Sequence, residues 1–167
     1  MSSIAPPCHT RTADTTDDWI TPKHLIERLG PFDLDPCACV PQPWPCADRQ
    51  FTLEDDGLMR PWQGFVWLNP PYGRSLDAWL NRMAMHDNGI AFVFARTDTR
   101  AFFRYVWPHA SAILFVRGRV TFHRPDGSLP KLGHNSGGPS CLMGYGQRAK
   151  SRLLENRDLG ALVYPAE

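Results

Sequence analysis

Phe65-Val66-Trp67-Leu68-Asn69-Pro70-Pro71-Tyr72 is the stretch on which the reading of the fold turns. Its first four residues are apolar without alternation. That is the pattern of a strand buried on both faces, and such strands belong to sheets covered by helices on two sides. The next four residues make a stiff turn, because two prolines fix φ and remove two backbone donors. What remains is rich in acceptors: the Asn69 side-chain oxygen and the Pro70 carbonyl, both able to point at one –NH2 group. Tyr72 adds an aromatic face for a flat ring to stack on. Ligands of open α/β sheets bind at the carboxyl ends of the strands, so the place of this turn carries as much information as its composition.

Working outward, Leu76, Trp79, Leu80 and Met83 recur at helical spacing and predict a helix over Ser75 to Met85, with Trp79 and Met83 as core. Gly89 to Ala95 reads as a second buried strand, ending at Arg96-Thr97-Asp98-Thr99, where Thr99 can cap a helix to Tyr105 or Val106. Strands follow over Ala112–Val116, Arg119–Phe122, Ser140–Tyr145 and Leu159–Tyr164, with a helix over Gln147–Asn156 and a long loop over 124–139. Toward the N-terminus, Thr21 is a good N-cap and Pro22 a good first helical residue. Leu25, Ile26 and Leu29 give the helical face, and Gly30 stops it. Phe32-Asp33-Leu34-Asp35-Pro36 reads as a short strand. Asp33 and Asp35 alternate along it and so face opposite ways, which leaves Asp33 structural or exposed. Cys37 to Cys46 is loop, Gln50 to Leu53 a brief strand, and Glu54-Asp55-Asp56-Gly57-Leu58 an acidic turn. Strands and helices alternate throughout, and that predicts an α/β three-layer fold with a mostly parallel central sheet.

The chain has 167 residues, one domain's worth, with 43% hydrophobic and 21% charged residues, which is ordinary for a globular protein. Residues 1–16 are polar, contain two prolines and lack the apolar core of a signal peptide, so they read as a disordered arm before a single domain over 17–167. No apolar run is long enough for a membrane span. Five cysteines with no export signal suit a reducing, cytoplasmic setting. The Cys37-x-Cys39-x6-Cys46 spacing, with no nearby His, is a poor match to zinc, and no metal is assigned. Net charge is only +1, yet Arg96 to Arg124 holds six arginines and two histidines against one acid, Asp98. Such a basic stretch meets phosphates, or is simply a solvated face.

An aromatic exocyclic amine is a weak nucleophile, because its lone pair is delocalised into the ring. Two acceptors held in place favour a pyramidal nitrogen with its lone pair free, which is catalysis by positioning and electrostatics. Five motifs in order, Trp19-x-Thr21-Pro22, Phe32-Asp33-Leu34-Asp35-Pro36-Cys37-Ala38, Asp56-Gly57-Leu58, Asn69-Pro70-Pro71-Tyr72-Gly73 and Ala95-Arg96-Thr97-Asp98-Thr99, resemble the short phage-type DNA N6-adenine methyltransferases, a Dam-like group. The resemblance spans roughly Trp19 to Tyr145. It implies a compact, reduced Rossmann-like methyltransferase fold, S-adenosylmethionine as cofactor, DNA as partner, and a bacterial protein encoded by a phage or prophage or serving restriction–modification. It implies Asn69, Pro70, Pro71 and Tyr72 as the catalytic turn, with the target base flipped out of the duplex. It places Trp19, Thr21, Pro22, Asp35, Pro36, Cys37 and Ala38 with Asp56 and Leu58 around the cofactor, Asp56 accepting from its adenine amino group. Arg96 and Asp98 then stand beside the target-base pocket, and Arg119 and Phe122, in a Gly-Arg-x-x-Phe element, face DNA. The chain departs from the wider methyltransferase pattern in lacking glycines after Asp35-Pro36. About thirty residues separate that motif from the catalytic turn, which leaves no clear ribose-binding acid beyond Glu54 and Asp55.

Other chemistries fit parts of the same sequence. N4 methylation of cytosine poses the same amine problem, and Asn at position 69 leans toward adenine by resemblance only. A protein side-chain amide is also planar and would suit the turn. C5 methylation of cytosine needs a nucleophilic Cys after Pro. Pro36-Cys37 and Pro45-Cys46 offer that dipeptide, but neither ends an apolar strand. A metal-dependent nuclease or a plain DNA-binding module would draw on Asp33, Asp35, Glu54, Asp55 and Asp56, whose spacing repeats no known metal loop.

Overall fold

The computed structural model describes residues 19–130 and 137–165. The expected arm over 1–16 and the middle of the 124–139 loop lie outside them.

Strands β1 (Leu34–Asp35), β2 (Arg49–Gln50), β3 (Val66–Leu68), β4 (Gly89–Phe94), β5 (Ala112–Val116), β6 (Ser140–Tyr145) and β7 (Gly160–Val163) form one sheet in the order β2-β1-β3-β4-β6-β5-β7. The half that carries the quoted stretch is parallel: β1 pairs with β2, β1 with β3, and β3 with β4, the last with Val66, Trp67 and Leu68 opposite Gly89, Ile90 and Ala91. Beyond β4 every pairing is antiparallel, β4 with β6, β6 with β5 and β5 with β7. The sheet is therefore mixed, and β5 runs in the direction of β4 because β6 reverses between them.

Alternate residues of the strands enter two separate cores. Val66, Leu68, Ala91, Val93, Ile113 and Met143 face helix α2 (Leu76–His86), which contributes Trp79, Leu80 and Met83, and the helical turns that contribute Phe102 and Val106. Phe65, Trp67, Ile90, Phe92, Leu114 and Leu142 face α1 (Lys23–Leu29) and α3 (Gly146–Glu155), through Leu25, Ile26, Leu29, Ala149 and Leu153. Helices thus cover both faces, which explains why β3 and β4 are apolar at every position. Trp67, Leu68 and Ile90 are 0% exposed.

Several local expectations shift. Thr21 does not cap α1. Pro22 stands at the cap, with no side-chain bond there, and the Thr21 hydroxyl is used elsewhere, as described below. The brief strand expected over Gln50–Leu53 forms one residue earlier, and Leu53–Asp55 makes a 3-10 turn closed by a capping box between Thr52 and Asp55. The helix after Thr99 widens to a π-helical stretch over Phe102–Val106, where the Trp107 N–H reaches the Phe102 carbonyl five residues back at 2.9 Å. Arg119–Phe122 is not a strand. It shows the strand-like alternation, with Val120 and Phe122 buried, but among the described residues it joins no ladder, and the one bridge beside it pairs Ile20 with His123. A period of two reports which side chains go inward, and a ladder also needs a neighbour to bond. Among the described residues no helix is long and apolar enough to cross a membrane.

Candidate active site

Because β1, β2, β3 and β4 are parallel, the segments that leave their carboxyl ends emerge on one edge of the sheet. Asp35-Pro36-Cys37, Asn69-Pro70-Pro71-Tyr72 and Ala95-Arg96 all start there, and direct contacts join them to one another and to the N-terminal segment.

The Cys37 thiol donates to the Asn69 backbone carbonyl at 3.3 Å, joining the β1 end to the Asn-Pro-Pro-Tyr turn. The Cys37 N–H in turn donates to Asp35 Oδ1 at 3.1 Å. Asn69 is then held from the opposite side. Its Nδ2 donates to the Trp19 carbonyl at 3.1 Å and to Thr21 Oγ1 at 3.4 Å. That uses both amide hydrogens and leaves Oδ1 turned the other way. Among the described residues neither Asn69 Oδ1 nor the Pro70 carbonyl accepts a hydrogen bond. These are the two acceptors that the bare sequence singles out. Asp56-Gly57-Leu58 docks against the same edge. A Cβ at Gly57 would overlap the Pro36 carbonyl oxygen, so only glycine permits that approach. Trp62 Nε1 holds the turn by donating to the Gly57 carbonyl at 2.8 Å.

The electrostatics fit neutral groups held by burial. Asp35, 5% exposed, has its carboxyl raised by burial to about 7, against the opposing pull of the Cys37 N–H. Burial, reinforced by the neighbouring Asp35, pushes the Cys37 thiol well up, and burial also pushes up Cys46. Neither is a thiolate near neutrality, which argues against a nucleophilic cysteine and so against C5 chemistry. Tyr72 turns inward: its hydroxyl accepts the Phe94 N–H at 3.1 Å, and its ring stacks on Phe94 with centroids 4.7 Å apart and planes 20° apart. Burial pushes its phenol up as well, so it stays protonated. A cavity of about 380 Å3, lined among others by Tyr72, Leu76, Phe94, Arg96, Arg100 and Phe102, opens beside that ring.

The remaining candidates divide. Arg96 joins the cluster, its guanidinium 5.9 Å from the Phe94 ring centroid. Asp98 and Arg119 are exposed, and among the described residues no side-chain hydrogen bond or ion pair joins either to the turn. Phe122, expected to face DNA, is instead core: it is 7% exposed and stacks on Phe92 at 5.4 Å. Trp19 is 40% exposed and contributes its backbone carbonyl to the site. Pro22, Pro36 and Ala38 are buried beside the edge, and Leu58 is half-buried against the α2-side core. Asp56 has an exposed carboxylate without a partner among the described residues. Asp55 is spent on its own turn, accepting from Thr52 N and Oγ1 at 2.8 and 3.0 Å, and those bonds hold it below the usual carboxylate range. Asp33 accepts the Phe65 N–H and is structural. No group of three or more potential metal ligands occurs among the described residues.

Trp44 and His123 had no signal in the sequence. Trp44 Nε1 donates to the Thr21 carbonyl at 3.0 Å, and its ring meets His123 edge-on at 4.8 Å. The cysteine-rich loop is therefore the clamp on the N-terminal segment that holds Asn69.

A family model described as DNA N-6-adenine-methyltransferase (Dam) matches residues 8–144. The chain belongs to the Dam family. It is an adenine-specific DNA methyltransferase, and DNA is its substrate. No curated protein and no solved structure matches it. The mixed α/β sheet with helices on both faces is compatible with a methyltransferase-like fold.

Proposed function

We propose that the methyltransferase transfers a methyl group from S-adenosylmethionine to the N6 amine of an adenine flipped out of DNA, at Asn69-Pro70-Pro71-Tyr72. The observation that carries this reading is a pair of acceptors, Asn69 Oδ1 and the Pro70 carbonyl, that take no hydrogen bond among the described residues, on a turn whose Asn69 carbonyl and amide nitrogen are both occupied. Each acceptor takes one amine hydrogen, and the nitrogen lone pair is drawn out of conjugation toward the methyl donor. Tyr72 and the cavity beside it offer the base a flat wall and room, and its neutral phenol adds no charge to compete with the reacting centre.

The residues along the β1 and β3 ends suit the cofactor. Asp56 presents a free carboxylate for an adenine amino group, and Leu58 and Cys37 supply half-buried apolar surface beside it. Asp35, Pro36 and Ala38 form the floor, and Trp19, Thr21 and Pro22 border its opposite end. When bound, S-adenosylmethionine supplies the electrophilic methyl. The absence of glycines after Pro36 is offset by Gly57, which brings the second motif into contact with the first. In this reading the layered sheet is a reduced Rossmann-like methyltransferase fold. Arg96, Asp98 and Arg119 lie toward DNA, and the enzyme works in the cytoplasm, where its substrate is. Transfer from labelled cofactor to DNA, followed by nucleoside analysis, tests the assignment. N6-methyladenine is expected, whereas N4-methylcytosine, or label in protein, would overturn it.

A further inference from the structure

A carboxamide has nearly the same shape either way round, but one end accepts hydrogen bonds and the other donates them. If Asn69 presented Nδ2 to the substrate amine, two donors would face each other. Something must therefore fix which end points outward. The outward end is set here by the Trp19 carbonyl, which can only accept, at 3.1 Å, and Thr21 Oγ1 at 3.4 Å holds the same amide nitrogen from a second side. Thr21 is 1% exposed, so no bulk water competes for its hydroxyl. The segment carrying both acceptors is itself clamped: Ile20 and His123 exchange backbone bonds of 2.9 Å in both directions, and Trp44 Nε1 holds the Thr21 carbonyl at 3.0 Å.

We propose that Thr21 is a positioning residue for methyl transfer, acting through Asn69: its hydroxyl holds the carboxamide in the orientation the Trp19 carbonyl sets, with Oδ1 toward the amine. The inference rests on the reading of Asn69 given above and adds a role for Thr21 that bordering the cofactor does not supply. The two roles separate kinetically. A contact to the cofactor changes cofactor affinity, whereas a group that orients Asn69 changes the rate of the step once both substrates are bound.

Thr21→Val keeps the shape and removes the acceptor. It should lower kcat about tenfold, the size of one lost hydrogen bond, a loss well beyond any change in KM for DNA or in the calorimetric Kd for S-adenosylmethionine. Thr21→Ser should restore kcat. Should Thr21→Val unfold, Thr21→Ala serves in its place, with thermal unfolding as the check. A second readout needs no turnover. The Asn69 side-chain NH2 resonances, assigned by their loss in Asn69→Ala, should shift and exchange faster with solvent in Thr21→Val and return in Thr21→Ser. An unchanged kcat, a loss of rate matched by a loss of cofactor affinity, or unmoved NH2 resonances would each overturn the proposal. If the wild-type enzyme makes no N6-methyladenine, the functional reading fails separately, and the resonances alone decide whether Thr21 orients Asn69.

Discussion

The carboxyl edge around Asn69 and the arginine-rich stretch from Arg96 to Arg124 are built on opposite principles. Around Asn69, four separate segments meet through side-chain bonds to one another, and two acceptors of the turn, Asn69 Oδ1 and the Pro70 carbonyl, stay without a donor among the described residues. Along the arginine stretch all six arginines are exposed, and among the described residues their one ion pair joins Arg100 to Asp77 at 3.2 Å. A site that must hold an amine to a fraction of an ångström needs its own groups immobilised beforehand. A surface that meets a phosphate backbone can leave its cations solvated, because their contribution comes from counterion release and tolerates loose geometry. On the proposed reading, the difference separates where specificity of chemistry is stored from where affinity for DNA is stored.

The largest effect should come from the tethered side. Asn69→Ala removes one of two acceptors and should reduce methyl transfer about a thousandfold, as loss of a preorganised polar group does elsewhere. Cofactor binding by calorimetry and the far-ultraviolet dichroism should be unchanged; wild-type turnover would sink the role of the turn. Next is Phe122, which lies within the basic stretch by sequence yet belongs to the core. Phe122→Ala should cost about 3 kcal/mol in urea unfolding, as a truncated buried aromatic does. The salt dependence of DNA binding should stay the same. A stable variant with weakened DNA binding would return Phe122 to the interface.

A smaller, pH-dependent effect should distinguish the buried acid of the edge from the solvated acids elsewhere. Asp35 holds its proton up to about 7 when folded, against an ordinary 3.8. Between those values the folded chain binds more protons than the unfolded chain, so this group's contribution to stability is present at low pH and is lost as pH rises toward 7. The loss should be roughly 2 kcal/mol between pH 5 and pH 7. Asp35→Asn should remove that slope, measured as the difference between the two proteins' denaturant midpoints across pH. An identical slope in both would mean that Asp35 is ionised and solvated.

How much of this was legible follows the same division. The apolar runs of β3 and β4 and the turn after Leu68 speak through local sequence, since burial on both faces and proline geometry need no knowledge of partners. Thr21 was legible as a hydroxyl at a helix start and was assigned the commoner task of capping; nothing local reveals that Asn69, 48 residues on, takes it instead. Trp44 sat in a proline-rich loop without periodicity, so its clamp on Thr21 could not be read. Phe122 and Arg119 share one short element, and alternation puts one inward and one outward without saying which side DNA approaches. Gly57 read as a turn glycine, and its actual constraint is the Pro36 carbonyl beyond it.

The smallest effects should come from the solvated side, and they probe it by salt. Arg96→Ala and Arg119→Ala should each weaken DNA binding severalfold at low salt and reduce the slope of log affinity against log salt by about one. Arg119 makes no ion pair among the described residues and should do nothing else. Arg96 differs, because its guanidinium also lies over the Phe94 ring that backs Tyr72. If it serves only the backbone, kcat at saturating DNA stays at the wild-type value and the two variants behave alike. If kcat falls in Arg96→Ala alone, Arg96 belongs with the tethered groups, and the boundary between the two regions runs through Phe94, where the last of the aromatic stacking ends and the exposed cations begin.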